Sequence, residues 1–271
     1  NQSWGLAAQS IGGGGGSGGA ATAKSASVIT VSLAMGGTGG DGGGGGTVDV
    51  TNSGSVLTGC DGTGNEEAGC GYGFAGGISL EAADAIGVLA QSIGGGGGSG
   101  GAATSKSVSL PVDDIPSVSV SFALGAAGGG GGDGGAVTAT NQGTIATSGN
   151  SSMGVLAQSI GGGGGNGGDA TASSFAIEGG APSLKVAVGL GGSGGVAGFG
   201  GSVAVTNGAT SDCMGCTGSI TTYGSDAMGI LAQDLVPAAE GYATSVKFRT
   251  NLMTGFLYKY YVDACVTFGA S

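Results

Sequence analysis

Histidine is absent from this 271-residue chain, and lysine and arginine together number six. The commonest general acid–base side chain is therefore missing. Six basic residues against seventeen acidic ones, a formal net charge of −11, argue against a nucleic-acid partner, which is held mainly by Lys and Arg on phosphates. Proline occurs four times and the glycines have no G-X-Y period, which excludes a collagen triple helix. Aromatic residues make up 5% of the chain, too few for a conventional core of large side chains. No run of 18 apolar residues exists, so no transmembrane helix is expected. An initiator methionine and a signal peptide are also missing, and Asn1 reads as a processed or trimmed end inside a repeated string.

What is present is glycine, 70 residues of it. Disordered glycine-rich tails are polar and charged, whereas here 39% of residues are hydrophobic and 8% charged, so the chain can bury something. It must do so by close backbone approach and thin apolar layers. The glycines cluster behind a recurring anchor, Ala-Gln-Ser-Ile, which ends at Ile11, Ile93 and Ile160 and returns without glycines as Ala232-Gln233-Asp234-Leu235. Anchors near residues 9, 91, 158 and 233 delimit three units of uneven length, the mark of a solenoid or array.

Each unit reads as strands. Val118, Val120, Phe122 and Leu124 alternate with Ser117, Ser119, Ser121 and Ala123. The same alternation occurs at Ile29, Val31, Leu33 and Met35, and at Leu184, Val186, Val188 and Leu190. Period two with β-branched residues predicts strands with the large apolar residues on the buried face. Glycine costs about 1 kcal/mol per helical position relative to alanine, and no helix is expected. Asn52, Asn141 and Asn207 close equivalent strands, where asparagine tolerates turn geometry. Gln9, Gln91, Gln158 and Gln233 hold the same place in every anchor; stacked in register they form an amide ladder, and otherwise they are four separate solvated side chains.

The extra length of the flanking units holds cysteines. Cys60 with Cys70 and Cys213 with Cys216 are the natural local disulfide candidates, Cys265 is left over, and cysteine without histidine suits an exported, oxidising setting. From residue 237 the composition changes. Phe256, Tyr258, Tyr260, Val262, Val266 and Phe268 share one face of a long strand, 242–253 is its partner, and Thr254-Gly255 is the turn. This C-terminal aromatic β-hairpin, residues 237–271, belongs to no repeat and is the candidate cap or assembly element.

The glycine runs match several motifs by composition alone. A dinucleotide fingerprint needs a following helix, and a phosphate loop needs a glycine before its lysine; neither condition is met. Asp41 and Asp169 close the first part of a calcium-binding nonapeptide, but the hydrophobic residue two places later is missing. No cofactor is expected, and calcium is the one metal the pattern admits. A run without side chains adopts either sign of φ and packs at backbone distance. Its N–H and C=O groups must then bond neighbouring runs, in a sheet or a polyglycine-II layer; the alternative is three flexible linkers.

The string Gly-Ile/Val-Leu-Ala-Gln-Ser-Ile, five glycines, Ser or Asn and two further glycines resembles the repeats of glycine-rich autotransporter-type surface proteins of Gram-negative bacteria. The resemblance covers about residues 1–235. It implies an exported, β-solenoid-like passenger acting as an adhesin or surface fibre, and it carries no catalytic residues. The C-terminus departs from it, because such proteins end in a long membrane barrel and a single hairpin stands here.

The expectation is thus an all-β, β-solenoid-like stack of three glycine-rich units over residues 1–236, followed by the hairpin. Its expected role is that of a secreted or cell-surface filament subunit whose partner is itself, added head to tail by strand addition. The alternative is a monomeric adhesin or ice-binding module facing a host or abiotic surface. Catalysis is not expected: the adjacent acids Glu66-Glu67 and Asp113-Asp114 point oppositely in extended chain.

Overall fold

A computed structural model describes residues 3–59, 84–110, 112, 115–177, 183–208, 218–223, 225–235, 245–250 and 266–267. Among them there is no helix. The first strands are β1 (Trp4–Ile11), β2 (Ala21–Ser27), β3 (Ile29–Met35), β4 (Val48–Asn52) and β5 (Ser55–Thr58). They are followed by β6 (Ile86–Ile93), β7 (Ala103–Ser109), β8 (Ser117–Leu124), β9 (Val137–Asn141) and β10 (Thr144–Ser148). Next come β11 (Met153–Ile160), β12 (Ala170–Ala176), β13 (Ser183–Leu190), β14 (Val203–Asn207) and β15 (Ser219–Tyr223). The last are β16 (Met228–Leu235), β17 (Ser245–Thr250) and β18 (Val266–Thr267).

Every strand from β1 to β17 pairs in parallel with its counterpart one pass later or earlier. The sheets run β1-β6-β11-β16, β2-β7-β12, β3-β8-β13, β4-β9-β14-β17 and β5-β10-β15, a β-solenoid-like arrangement. Register is exact in sequence terms: Ala8, Ala90, Ala157 and Ala232 share one column, and Val48, Val137 and Val203 another.

Two kinds of interior hold the sheets together. One is aliphatic: Val88, Ala90, Val137, Ala139, Ile145 and Val155 are buried between the β6, β9 and β10 columns. Full burial of side chains this size contributes about 1.5–3 kcal/mol each. The anchor glycines make room for it, since a Cβ on Gly87 would meet the Ile145 side chain. The other interior lies between the β7 and β8 columns and holds only small residues. Ala103, Ala123, Ser105, Ser107, Ser119 and Ser121 are buried there. In the middle pass its hydroxyls are paired: Ser107 Oγ lies 2.8 Å from Ser119 Oγ and 2.9 Å from Ser121 Oγ, and Ser105 Oγ donates to the Ser32 carbonyl at 2.9 Å. The Ser25 and Ser32 hydroxyls of the first pass, by contrast, are buried without a partner among the described residues.

This second interior corrects the expected orientation of the alternating strands. The serines, threonine and alanines point inward, and the large residues point out: Ile29 is 67% exposed, Thr30 only 2%. Period-two alternation separates two faces but does not say which face is covered. Small side chains let two sheets approach more closely than the usual ~10 Å, and hydrogen bonds offset the cost of burying Ser107, Ser119 and Ser121.

The described part of the C-terminal segment joins one of these sheets. Ser245–Thr250, read as part of an element outside the repeats, lies parallel to β14, with Phe248 opposite Val205 and Arg249 opposite Thr206. It pairs antiparallel with β18 at Ser245–Thr267 and Val246–Val266. The expected turn at Thr254-Gly255 lies outside the described residues.

Candidate assembly surfaces

Between the two interiors the glycine runs form a layer of their own. Gly12, Gly15 and Gly18 donate to Ile93, Gly96 and Ser99 of the next pass at 2.7–2.8 Å. Gly36, Gly39, Gly42 and Gly45 donate likewise to Leu124, Ala127, Gly130 and Asp133. A bond at every third residue is the period of a polyproline-II-type helix, which has no internal hydrogen bonds. A second set of donors crosses between the runs. Gly43 donates to Gly13, Gly95 to Gly43, Gly132 to Gly95, Gly162 to Gly132 and Gly198 to Gly162, each at 2.7–2.8 Å. The bonds zigzag from run to run through every pass, so N–H and C=O groups that no side chain shields still find partners.

With two residues in three committed to neighbours, the third faces outward. That is where the side chains sit: Ser17, Ser99 and Asn166 in the first run, and Thr38, Asp41 and Asp133 in the second. Outward N–H groups lack a partner in the layer, and carboxylates supply two of them. Asp41 Oδ1 accepts from Gly130 N–H and Asp133 Oδ1 from Phe199 N–H, both at 2.7 Å. Asp41, one of the two residues weighed for calcium, therefore bonds backbone. Among the described residues no three His, Cys, Asp or Glu side chains gather into a group able to hold a metal ion.

Two amide ladders flank the layer. Gln9 Nε2 donates to Gln91 Oε1 at 2.8 Å, Gln91 to Gln158 at 2.9 Å and Gln158 to Gln233 at 2.6 Å. On β4, β9 and β14, Asn52 Nδ2 donates to Asn141 Oδ1 at 2.8 Å and Asn141 to Asn207 at 2.7 Å. Asn52 also accepts from Gly54 N–H, so turn geometry and ladder coexist in one side chain. The anchor serines tie strand to glycine run: Ser92 Oγ donates to the Gly46 carbonyl and accepts from Gly135 N–H, both at 2.8 Å. The glutamines are partly exposed, and water replaces a lost partner there. Gln91→Ala should therefore lower unfolding free energy by only about 1 kcal/mol in equilibrium denaturation.

The two ends of the glycine layer differ. Side chains built on Gly95, Gly98 and Gly101 would run into the carbonyls of Gly13, Gly16 and Gly19. Built on Gly13, Gly16 or Gly19 themselves, they meet nothing within 4 Å, and these three are exposed. Glycine is retained where the isolated chain does not need it. At the opposite end Gly191 and Gly194 are likewise open, a Cβ on them coming no nearer than 3.7 and 3.6 Å to any atom, and the pattern breaks at one position. Gly42 and Gly131 are held to glycine by the carbonyls of Gly95 and Gly162, and their counterpart is Ala197.

A third surface is the outer face of β3, β8 and β13. Ile29, Val31, Leu33 and Met35 are 57–67% exposed, Phe122 and Leu124 about 40%, and Leu184 and Leu190 57% and 60%. The register continues them as columns, with Val31 beside Val120 and Val186 and Met35 beside Leu124 and Leu190. The opposite outer face, on β2, β7 and β12, carries Thr22, Thr104 and Thr171 in one column and Lys24, Lys106 and Ser173 in another.

Of the residues proposed for assembly, Val266 lies in β18, whereas Phe256, Tyr258, Tyr260, Val262 and Phe268 are outside the described residues. So are Cys60, Cys70, Cys213, Cys216 and Cys265. Sequence reasoning passed over the three open glycines and the outward-facing apolar columns. A three-residue spacing of non-glycine residues within the runs was the available signal for the first. Comparison with protein-family models, curated protein sequences and solved structures finds no match. Among the described residues no helix is long and apolar enough to cross a membrane.

Proposed function

We propose that this chain is a structural subunit of an extracellular filament or surface fibre that grows end to end by strand addition. The observation that carries the reading is the retained, unobstructed glycine at positions 13, 16 and 19, at the end where, among the described residues, β1 to β5 all stand as sheet edges. Unpaired strand edges are templates for another chain, and natural monomers blunt them. Here the edge is left in register across five sheets and a glycine layer. Three stacked glycine-rich units supply the rod, with polyglycine-II-like packing in its middle. At the other side Ala197 interrupts the glycine pattern beside the open Gly191 and Gly194, and strands of the 237–271 segment are assigned the joint. The contact is head to tail and does not close, the geometry of a fibre. The resemblance of the anchors to autotransporter-type repeats supports an exported surface location and a structural role without catalysis.

Electron microscopy of the full chain tests this. The intact chain should form fibres, and deletion of 237–271 should abolish them. Gly16→Val should also abolish them without lowering the melting temperature of the subunit, because its side chain enters space that is empty within one chain. Normal fibres from the deletion variant rule the reading out. The rival reading, a monomeric adhesin or ice-binding module, draws on the threonine columns at 22, 104 and 171 and at 51, 140 and 206. It predicts a single monomeric species on size exclusion together with binding to a surface.

A further inference from the structure

We infer that the outer face of β3, β8 and β13 docks face to face on the same sheet of a second copy of this chain. The contact is lateral and distinct from the end-to-end joint. Three strands about 4.8 Å apart and eight residues of about 3.3 Å make a footprint of roughly 14 by 26 Å. Eight of its large apolar side chains are 39–67% exposed. In projection that is roughly 360 Å², among the largest contiguous apolar patches monomers carry, ~300–600 Å² and often functional, and within about a factor of two of the ~800 Å² per partner of stable complexes.

What fits such a face follows from its shape and charge. Its rows are straight and repeat at strand spacing, and the complement of a regular aliphatic sheet is another one, packed about 10 Å away. This half of the chain has turned its large residues outward around a serine–alanine interior, so an aliphatic layer between sheets forms only with a partner sheet. A second copy presents that sheet by symmetry, the same patch meeting itself. Every outward position on β3, β8 and β13 is uncharged, so two copies meet there without repulsion although each carries a net charge of −11. That acidity disfavours the other apolar occupant, an anionic membrane. The lysines at 24 and 106 lie on the opposite outer face.

Sedimentation velocity on the full chain, in the Gly16→Val background so that end-to-end growth does not mask pairing, reads the contact. The parent should sediment as a two-chain particle. Leu33→Lys with Leu184→Lys, both at exposed positions, should weaken pairing at least ~100-fold, with a melting temperature equal to the parent's at concentrations too low for the parent to pair. Thr22→Lys on the opposite face should leave it intact. A monomeric parent, or lysine variants that pair as tightly as the parent, overturns the inference. A monomer that floats with phosphatidylcholine vesicles overturns it in favour of a lipid surface. Fibres that persist in the Gly16→Val background count against the end-to-end reading alone, since the lysine substitutions still report on the sheet face.

Discussion

Gly98→Ala should destabilise the chain by about 2–4 kcal/mol, whereas Gly16→Ala, at the same place one pass earlier, should stabilise it by about 0.4–1 kcal/mol. The two glycines share their local sequence and differ only in what stands beside them. A methyl group on Gly98 points into the carbonyl of Gly16. To admit it, two runs must separate, and the zigzag of bonds from Gly98 to Gly40 and from Gly129 to Gly98 opens with them. On Gly16 the methyl group meets nothing and φ is not positive, so only the unfolded chain loses freedom. One natural interior methyl group shows how the layer responds. Ala126 stands where its neighbours along the run have glycine, and its N–H reaches Gly101 at 3.2 Å, against 2.8 Å for Gly129 and Gly132. It lies at the end of the run beside β8, where the backbone has room to give; Gly98 is braced on both sides. Paired denaturation curves of the two variants read the difference directly, and equal destabilisation would mean the layer does not depend on close backbone approach.

The strands were legible because alternation survives without knowledge of partners. Ile29 to Met35 and Ser117 to Leu124 have period two, and parallel stacking follows from copies of the same strand recurring once per pass. The covered face was not legible. Hydrophobicity scales favour burying Phe122 over Ser121, yet Ser119 and Ser121, both bonded to Ser107 across a thin gap, are buried at less cost than their composition suggests. The glycine runs were legible as backbone surfaces but not as surfaces with sides. Whether a glycine is required depends on its phase in a three-residue turn and on the pass it belongs to. Gly13 and Gly95 are identical in sequence context and opposite in need. The asparagines carried a turn signal, which Asn52 satisfies toward Gly54, but nothing local announces that Asn52, Asn141 and Asn207 are stacked. That depends on the three passes having the same register between anchor and β4, β9 or β14 despite unequal lengths.

Asn141→Ala should cost about 3–5 kcal/mol, several times the effect at Gln91, although both residues are central rungs of an amide ladder. Asn141 is 2% exposed, and Asn52 below it 7%. Truncation leaves the Asn52 Nδ2 donor and the Asn207 Oδ1 acceptor facing a small cavity, where water is a poor substitute for a rung. The Gln91 amide borders solvent, which heals its ladder. Asn141→Asp separates shape from hydrogen bonding. The carboxylate still accepts from Asn52, but it cannot donate to Asn207 Oδ1, or to the Ser219 carbonyl that Asn141 Nδ2 reaches at 3.3 Å. Burial and two facing acceptors favour the protonated form, which raises the folded-state pKa above its unfolded value of about 3.9. The variant should therefore be most stable below that value and lose stability as pH rises through the raised one. Denaturation at pH 4 and pH 7 measures this, and a variant equally stable at both would place Asn141 in contact with water and remove the buried ladder from the account of the fold.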